Sequence, residues 1–381
     1  MPYFLTEDAV LKWLETPSLY RTSSDELYEL DDESFGFLRQ CSAGEGGGSI
    51  ENEFVRYCLD EGLLTDRPVK VNRPLLLKSP VPSLRYLELQ ITDRCNLRCR
   101  HCYIGDRGPH DLPVATIRSI LEEFGEMQGL RLLITGGEPL LHPAFSGVND
   151  FLPSFAVRKV LFTNGLLITG QLLRRLHVDE IQVSIDGLEP AHDALRGKGS
   201  FAKAVDAVRK CLDAGVDVSV ATMAHGKNLG DFPEMEMMFR ELGIKDWTVD
   251  VPCITGRLAD NPELIVPPEL GGPYLRYGFG GGFHGSAPGF ACGLHLMSVS
   301  AEGLASRCTF YSDRPAGNAA EGLRTCWERI TPLRLDELDC DCNYLDECRG
   351  GCRYRAEALG GPRGRDLYKC YLHGIMGAKT A

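Results

Sequence analysis

The sequence has no long run of apolar residues. Of its 381 residues, 43% are hydrophobic and 25% are charged. The longest apolar stretches, such as residues 130–135, fall far below the roughly 20 residues that a helix needs to cross a bilayer. Residues 1–8 also lack the basic start and the apolar core of a secretory signal. We therefore expect a cytoplasmic protein with no membrane partner.

Positive charge is also scarce, because 41 Lys and Arg residues face 53 Asp and Glu residues, for a formal net charge of −12. Nucleic-acid binding depends on basic side chains that displace counterions, so the charge argues against a generic nucleic-acid partner. The acidic run near the start of the chain predicts either a solvated face or a surface matched to a basic peptide. Its members are Asp25, Glu26, Glu29, Asp31, Asp32 and Glu33.

Cysteine, by contrast, is abundant, with 15 residues. In a small secreted protein this would indicate disulfides, but this chain is long and shows no export signal. In a reducing cytosol, clustered cysteines more often bind metal. Ten of the 15 lie in two clusters, so metal binding is the leading interpretation.

The first part of the chain predicts a small α+β domain and a linker. Residues 1–67 show three short strands, at 10–14, 18–22 and 26–30, and then two helices, at 32–40 and 50–64. Residues 68–84 contain four prolines and are expected to form an extended linker.

Residues 85–252 alternate between strand and helix patterns, and such repeats with right-handed crossovers predict an α/β fold, here a partial (β/α)6 TIM-like barrel. A bridging region rich in Gly and Pro at 253–290 and a cysteine-rich domain at 291–381 follow. The predicted strands lie at 86–92, 130–135, 159–163, 180–185, 216–222 and 247–251, and the predicted helices at 114–127, 171–176, 201–214 and 232–242.

Three cysteines follow the first predicted barrel strand with the spacing C-x3-C-x2-C: Cys95, Cys99 and Cys102. Three thiolates on one loop can hold three irons of a four-iron cluster and leave the fourth open to a small molecule. Structural zinc is the alternative, but a closed zinc site needs a fourth ligand, and His101 would be crowded within the loop.

This loop resembles the signature of the radical SAM superfamily, whose members cleave S-adenosylmethionine (SAM) at a [4Fe–4S] cluster. The motif Gly136-Gly137-Glu138-Pro139, after the second strand, resembles the family's motif for the SAM amino group. The resemblance implies a cluster that donates one electron to SAM and a 5′-deoxyadenosyl radical that abstracts a hydrogen atom. The residues that it assigns to SAM binding are Tyr103, Gly136, Gly137, Glu138, Pro139, Asn164, Ser184, Asp186 and Arg196. Asp186 could instead face the substrate, and Arg196 could instead be a surface arginine.

Seven cysteines between residues 292 and 370 form the second cluster, and two zinc ribbons are one interpretation of them. The pattern resembles the SPASM extension of radical SAM enzymes, which carries two auxiliary [4Fe–4S] clusters. The resemblance assigns Cys292, Cys308 and Cys352 to an inner cluster and Cys340, Cys342, Cys348 and Cys370 to an outer one. The C-x-C pair at 340–342 departs from the usual C-x2-C.

Relatives with an extra cysteine just before the position of Cys292 have a fourth inner ligand, but residues 285–288 contain none. The inner cluster would then have an open iron or a remote ligand, for which Cys253 and Cys326 are reserve candidates. We expect Cys326 to be buried instead, and likewise Cys41, Cys58 and Cys211, which sit in apolar helical patterns.

The three strands and helices at 1–67 resemble the recognition element, a small winged-helix-like module that binds leader peptides in the maturation of ribosomally made peptides. In that module a peptide adds a strand to an exposed sheet edge, here around residues 26–30, and Arg56, Tyr57 and Leu59 would line the groove. A structural cap on the barrel is the alternative.

Together these features predict a radical SAM/SPASM enzyme with three [4Fe–4S] clusters and SAM. It would modify a precursor peptide by a crosslink, thioether, epimerisation or related oxidation, with an electron donor such as a flavodoxin or ferredoxin. One alternative is a maturase of a folded protein or a cofactor-biosynthesis enzyme. The other is a non-catalytic metal-binding peptide adaptor.

Overall fold

The computed structural model describes residues 2–48, 53–71, 73–106, 108–284 and 288–376. Of the predicted features, residues 50–52 of the second helix and residues 285–287 lie outside these ranges. None of the described helices combines the length and apolar character needed to span a bilayer.

The N-terminal part is a small α+β unit around a three-stranded antiparallel sheet, as predicted. The sheet has the order β2-β3-β4, so β4 is an edge strand, and β1 pairs separately with β5. The predicted strands are confirmed to within one residue. The second helix is shorter than predicted, because the chain turns at Gly62, where φ is +67°. The elements are β1 (Phe4–Leu5), β2 (Ala9–Trp13), β3 (Pro17–Arg21), β4 (Glu26–Glu29), α1 (Asp32–Cys41), α2 (Glu53–Asp60) and β5 (Leu64–Thr65).

The central part confirms the predicted α/β fold. Strands β6 to β11 pair in parallel and in chain order, and their apolar residues form the main core with the covering helices. Helix α4 follows β7, where a helix was expected without stated bounds, and the additional helix α6 was not predicted. The elements are β6 (Tyr86–Thr92), α3 (Val114–Glu126), β7 (Arg131–Gly136), α4 (Phe145–Phe151), β8 (Arg158–Thr163), α5 (Gly170–Leu173), β9 (Glu180–Ser184), α6 (Glu189–Arg196), α7 (Ser200–Asp213), β10 (Asp217–Met223), α8 (Phe232–Leu242) and β11 (Asp246–Asp250).

The C-terminal part extends the same sheet, which the sequence did not predict. Strand β12 pairs in parallel with β6, and β13 and β14 continue antiparallel, giving nine strands in the order β11-β10-β9-β8-β7-β6-β12-β13-β14. These strands have two to four residues, too short for a visible alternation. The elements are α9 (Pro268–Gly271), β12 (Leu296–Val299), β13 (Leu304–Ser306), β14 (Gly317–Asn318), α10 (Leu323–Glu328), α11 (Leu345–Cys348), α12 (Arg353–Gly360) and α13 (Leu367–Leu372).

The N-terminal unit contacts the sheet where its strands begin. Lys12 of β2 donates hydrogen bonds to the carbonyls of Gly129 (2.7 Å) and Ala156 (3.0 Å), just before β7 and β8. Arg158, the first residue of β8, donates to the Ser23 carbonyl (2.7 Å). The opposite edge, where the strands end, carries the predicted site.

Candidate active site

The loop after β6 carries the cysteine triad, and the segment after β11 packs against it. Cys99 is buried, and the backbone N–H of Leu97 donates to the Cys95 sulfur at 3.4 Å. Arg257 binds the loop twice, from its side chain to the Cys99 carbonyl and from its backbone N–H to the Cys102 carbonyl, both at 3.0 Å. Arg257 lies after β11, the last strand of the (β/α) repeat, so these two hydrogen bonds hold the triad loop from outside the repeat.

Gly136 and Gly137 lie where the loop after β7 passes the triad loop. A Cβ atom at Gly136 would lie 2.4 Å from the Thr92 carbonyl oxygen, and one at Gly137 would lie 2.4 Å from that of Arg94. The N–H groups of Gly137 and Glu138 donate to these same carbonyls, at 2.8 and 2.7 Å. Glycine is needed here because the two backbones meet closely.

The predicted residues converge on one cavity of about 350 Å³ at the carboxyl ends of the strands. Its lining includes Cys95, Cys99, Cys102, Tyr103, Gly136, Gly137, Asn164, Ser184, Asp186 and Arg196. The three thiols and the close-packed glycine turn fit a [4Fe–4S] cluster with a small polar ligand beside it. Direct contact of each residue with SAM stays a prediction.

Glu138 and Pro139 do not line this cavity within the described ranges. Glu138 is fully buried and accepts hydrogen bonds from the Thr163 hydroxyl and the Asn164 N–H, each at 2.9 Å. Burial raises its pKa to about 7, although these hydrogen bonds act in the opposite direction. The carboxyl therefore ties the loops after β7 and β8 together, and its predicted contact with the SAM ammonium is not tested.

Arg196 and Asp186 form a buried ion pair at the cavity wall. The Arg196 Nε lies 2.5 Å from Asp186 Oδ2, and its Nη1 lies 3.9 Å from the Cys99 sulfur. The alternative of a surface arginine is therefore wrong. Burial is the largest single influence on the pKa of Asp186 and would raise it, but the charge of Arg196, the neighbouring histidines and the hydrogen bond from the Met223 N–H together outweigh burial and lower the pKa, so the carboxylate stays ionised.

Three histidines surround the Asp186 segment, and none of them was predicted as part of the site. The His101 Nε2 lies 3.8 Å from Asp186 Oδ2, whereas His192 and His225 bond its backbone N–H and carbonyl, at 3.1 and 3.0 Å. Burial lowers the pKa of His101 to about 4, so its ring is neutral. Its Nδ1 is buried without a hydrogen-bond partner among the described residues, which fits a cavity that takes a polar ligand.

Sequence reasoning also missed two polar side chains on the cavity wall, Glu88 of β6 and Gln182 of β9. Burial raises the pKa of Glu88 to about 7. The available signal was a polar residue inside an otherwise apolar parallel strand, where both faces are normally buried.

The remaining predicted ligands gather in two further places. Cys340, Cys342, Cys348 and Cys370 line one small cavity, and Cys292, Cys308 and Cys352 line another of about 650 Å³. The latter shares Glu88, Thr309 and Phe310 with the triad cavity. Both groupings match the predicted ligand sets, whose ligation stays a prediction.

Within the described residues, no three His, Cys, Asp or Glu side chains lie close enough to hold a single metal ion. The four cysteines that we expected to be buried, Cys41, Cys58, Cys211 and Cys326, are at most 2% exposed, which confirms that expectation. His284 lies in the loop before the cysteine-rich region. Its Nδ1 forms a hydrogen bond with the Tyr86 hydroxyl at 3.0 Å, and the residue does not line the triad cavity.

Two comparisons of the sequence bear on this site. The radical SAM superfamily model matches residues 89–239, which contain the triad, the glycine turn and the Asp186–Arg196 pair. The mycofactocin maturase MftC of Mycobacterium tuberculosis is 33% identical over 306 residues, which cover 70% of this chain and 77% of that protein. The chain belongs to the radical SAM superfamily. This radical SAM protein is thus an enzyme that uses SAM and a [4Fe–4S] cluster.

Another relative shares less of its length with this chain. The AdoMet-dependent heme synthase of Oleidesulfovibrio alaskensis is 28% identical over 207 residues, 52% of this chain and 53% of that protein. The chain thus matches about half the length of that relative.

Among solved structures, Streptococcus suis SuiB bound to its precursor peptide SuiA shares the fold, with a TM-score of 0.67 and 15% identity over 96% of this chain and 98% of SuiB. The AdoMet-bound anSMEcpe matches with a TM-score of 0.58 and 16% identity over 76% of this chain and 91% of that protein.

Proposed function

We propose that this enzyme modifies a ribosomally made precursor peptide whose leader segment binds the N-terminal unit. The segments 1–67, 68–84, 85–252, 253–290 and 291–381 then serve as leader-binding domain, linker, radical SAM barrel, bridging region and SPASM domain. The single observation that carries the proposal is that β4, beside α2, is an edge strand among the described residues of a chain whose barrel also contains a cysteine-lined cavity.

The edge of β4 has the features of a peptide groove. Within the part of the chain that the structure describes, it is the last strand of its sheet, so one row of its backbone N–H and C=O groups is open to an added strand. The carboxyl end of α2 lies close by, because Arg21 of β3 donates to the Glu61 carbonyl at 2.9 Å. Tyr57 of α2 is 47% exposed and offers an aromatic contact.

The similarity to solved structures supports the same assignment. A match over 96% of the chain must include most of the N-terminal unit, and the protein matched is one crystallised with a precursor peptide. The match to anSMEcpe covers only 76% of the chain, so a radical SAM fold that lacks the N-terminal unit could account for it. A peptide maturase among the sequence relatives points in the same direction.

We propose that Cys95, Cys99 and Cys102 hold the catalytic cluster. When bound, the cluster and SAM supply a 5′-deoxyadenosyl radical that abstracts a hydrogen atom from the substrate. Arg196 keeps a positive charge beside the Cys99 sulfur, held in place by Asp186. Tyr103 packs edge-on against Phe310, with ring centres 5.9 Å apart, and this pair shields the cavity from water.

Two auxiliary clusters complete the proposal, for three [4Fe–4S] clusters in all. Cys292, Cys308 and Cys352 would hold the inner one, and Cys340, Cys342, Cys348 and Cys370 would hold the outer one. They would pass electrons between the substrate and a donor such as a flavodoxin or ferredoxin.

The similarity to a heme synthase favours a second candidate function, a modification in cofactor biosynthesis. The non-catalytic adaptor, in contrast, is wrong because the family is shown and its members are enzymes.

The decisive experiment is anaerobic incubation of the reconstituted enzyme with SAM, a reductant and a precursor peptide encoded beside its gene, followed by mass spectrometry. We expect a mass change in the peptide's core segment that requires the leader. Deoxyadenosine release with no change in any neighbouring peptide would contradict the proposal, and a change in a porphyrin added instead would favour the second candidate.

A further inference from the structure

The inner group of cysteines has one ligand fewer than a closed four-iron cluster needs. Cys292, Cys308 and Cys352 line its cavity together, whereas the outer group already contains four cysteines. Cys348 borders both cavities, but its place in the outer group leaves the inner cluster with three thiols. A cluster held by three thiolates has an open iron.

A fourth thiol lies against this group from a distant part of the chain. Cys253 follows β11 and is 4% exposed, and its side chain forms a hydrogen bond with that of Cys352. Cys253 also lines the triad cavity, whereas Cys352 lines the cavity of the inner group, so their contact links the two sites. The sequence made Cys253 only one of two reserve candidates for this cluster, since 38 residues separate it from Cys292 and no spacing pattern connects them.

The contact between Cys253 and Cys352 is held by a buried arginine. Arg355 donates to Asp250 Oδ1 at 2.6 Å and to the Val251 carbonyl at 3.1 Å, both just before Cys253. It also pairs with Asp366 at 2.9 Å. The start of α12, which carries Cys352, is thereby fixed to the end of β11, and the guanidinium brings positive charge to a site where thiolates would be buried.

The other reserve candidate does not reach this place. Cys326 lies in α10, where its thiol donates to the Asn318 carbonyl at 3.3 Å. It belongs to the main hydrophobic core and lines neither cavity described above.

We propose that Cys253 is the fourth ligand of the inner auxiliary cluster, together with Cys292, Cys308 and Cys352. The inference rests on the proposed function, which supplies the auxiliary clusters. Cys253 loses its thiol proton on ligation, as metal-bound cysteines do. A closed inner cluster has no open iron for a substrate thiolate, so it acts in electron transfer rather than substrate binding.

The test uses the full chain with Cys95, Cys99 and Cys102 all changed to Ala, so that only auxiliary clusters remain. In this background we compare Cys253→Ala and Cys253→Ser with Cys326→Ala, a buried cysteine outside the site. Iron and sulfide content, electron paramagnetic resonance and iron loss to a chelator are measured after anaerobic reconstitution.

We expect about eight irons in the background and in the Cys326→Ala control, for two clusters. Cys253→Ala should lose about one iron to the chelator and give the signal of a three-iron cluster when oxidised, and Cys253→Ser should lose iron more slowly. Wild-type iron retention and spectra in both Cys253 variants would overturn the inference. A background with no iron would instead overturn the auxiliary clusters of the proposed function.

Discussion

At the scale of single residues, the candidate active site depends on how closely two loops approach. A Cβ at Gly137 would lie 2.4 Å from the Arg94 carbonyl oxygen and 2.6 Å from that of Asp93, and backbone atoms cannot yield as a flexible side chain can. Gly137→Ala should therefore displace the loop that carries Cys95. We expect the Kd for SAM to rise at least about 10-fold, roughly 1.4 kcal/mol, measured by anaerobic calorimetry.

Gly147→Ala is the matched control. Gly147 lies within α4, and apart from its chain neighbours and the backbone of its own helix no heavy atom of the described residues lies within 4 Å of the Cβ that the substitution adds. Alanine is also preferred over glycine inside a helix by about 0.5–1 kcal/mol, so SAM affinity should stay unchanged and stability should rise slightly. A Gly137→Ala enzyme that binds SAM as tightly as the wild type would show that the two loops can separate without cost.

Single residues also show how far the sequence could predict the site. The triad and the glycine turn were visible because ligation and close backbone approach each demand one residue type at a fixed spacing. His225 and Arg257 were not, because their places at the site come from contacts with Asp186 and Cys99, which lie 39 and 158 positions away in the sequence. No local pattern encodes such contacts, whereas the polar Glu88 in a buried strand did leave a signal.

At the scale of elements, the proposed groove between β4 and α2 makes a prediction about leader binding. Tyr57 is 47% exposed on α2, and an exposed tyrosine at the centre of an interface commonly contributes more than its share of the affinity. Tyr57→Ala should weaken binding of a fluorescent leader peptide at least about 10-fold, or about 1.4 kcal/mol. Fluorescence anisotropy with the reconstituted enzyme measures this directly.

Met237→Ala serves as its control, since Met237 is also exposed (59%) but lies on α8 of the barrel. It should leave leader affinity unchanged. If the wild type and Tyr57→Ala bind the leader peptide with equal affinity, α2 does not line the proposed groove.

Element prediction succeeded where the strands were long enough to show their pattern. Strand β6 lies at the predicted residues, and each of the other five predicted parallel strands differs from its prediction by at most one residue at each end. Strands β12 to β14 were not predicted, because they are short and lie among Gly and Cys residues. Their place beside β6 depends on pairing with a strand some 200 residues earlier, which only the folded chain reveals.

At the scale of the whole molecule, the N-terminal unit is joined to the barrel by buried charge. Asp25 was predicted to lie on a solvated acidic face or a peptide-binding surface, which is wrong for this residue. It pairs with Arg131 of β7 and accepts a hydrogen bond from the Tyr20 hydroxyl at 2.5 Å. The prediction failed because the acidic run gave no sign that one carboxylate turns inward to an arginine 106 positions later.

Asp25→Asn tests this junction, because asparagine tolerates the left-handed backbone at residue 25, where φ is +66°. The change leaves the Arg131 guanidinium, only 13% exposed, without its carboxylate, which typically costs about 3–5 kcal/mol. We expect faster amide hydrogen exchange in β3 and β4, with SAM cleavage retained. Glu26→Gln, an exposed change of the same kind next to it, should exchange as the wild type does, and identical exchange in both variants would contradict the role of the ion pair.

Lys12 gives the same junction a dependence on pH. Burial lowers the pKa of its ammonium from 10.5 to about 7, and the charge of Lys159 acts in the same direction. Between these two values the unfolded chain binds more protons than the folded one. The free energy of unfolding therefore rises with pH across this window, by up to about 1.4 kcal/mol per pH unit, and falls again as pH decreases towards 7.

Lys12→Met removes this titration along with the hydrogen bonds to Gly129 and Ala156. Other groups titrate in both proteins, so the informative quantity is the difference between their thermal unfolding midpoints, measured anaerobically from pH 7 to pH 10. We expect the unfolding midpoint of the wild type to rise relative to that of Lys12→Met steadily as pH rises. Lys70→Met changes an exposed position, and its midpoint should equal that of the wild type at every pH. A difference that stays constant over this range would mean that Lys12 keeps its ordinary pKa at the junction, and that the N-terminal unit and the barrel meet around a charged rather than a neutral amine.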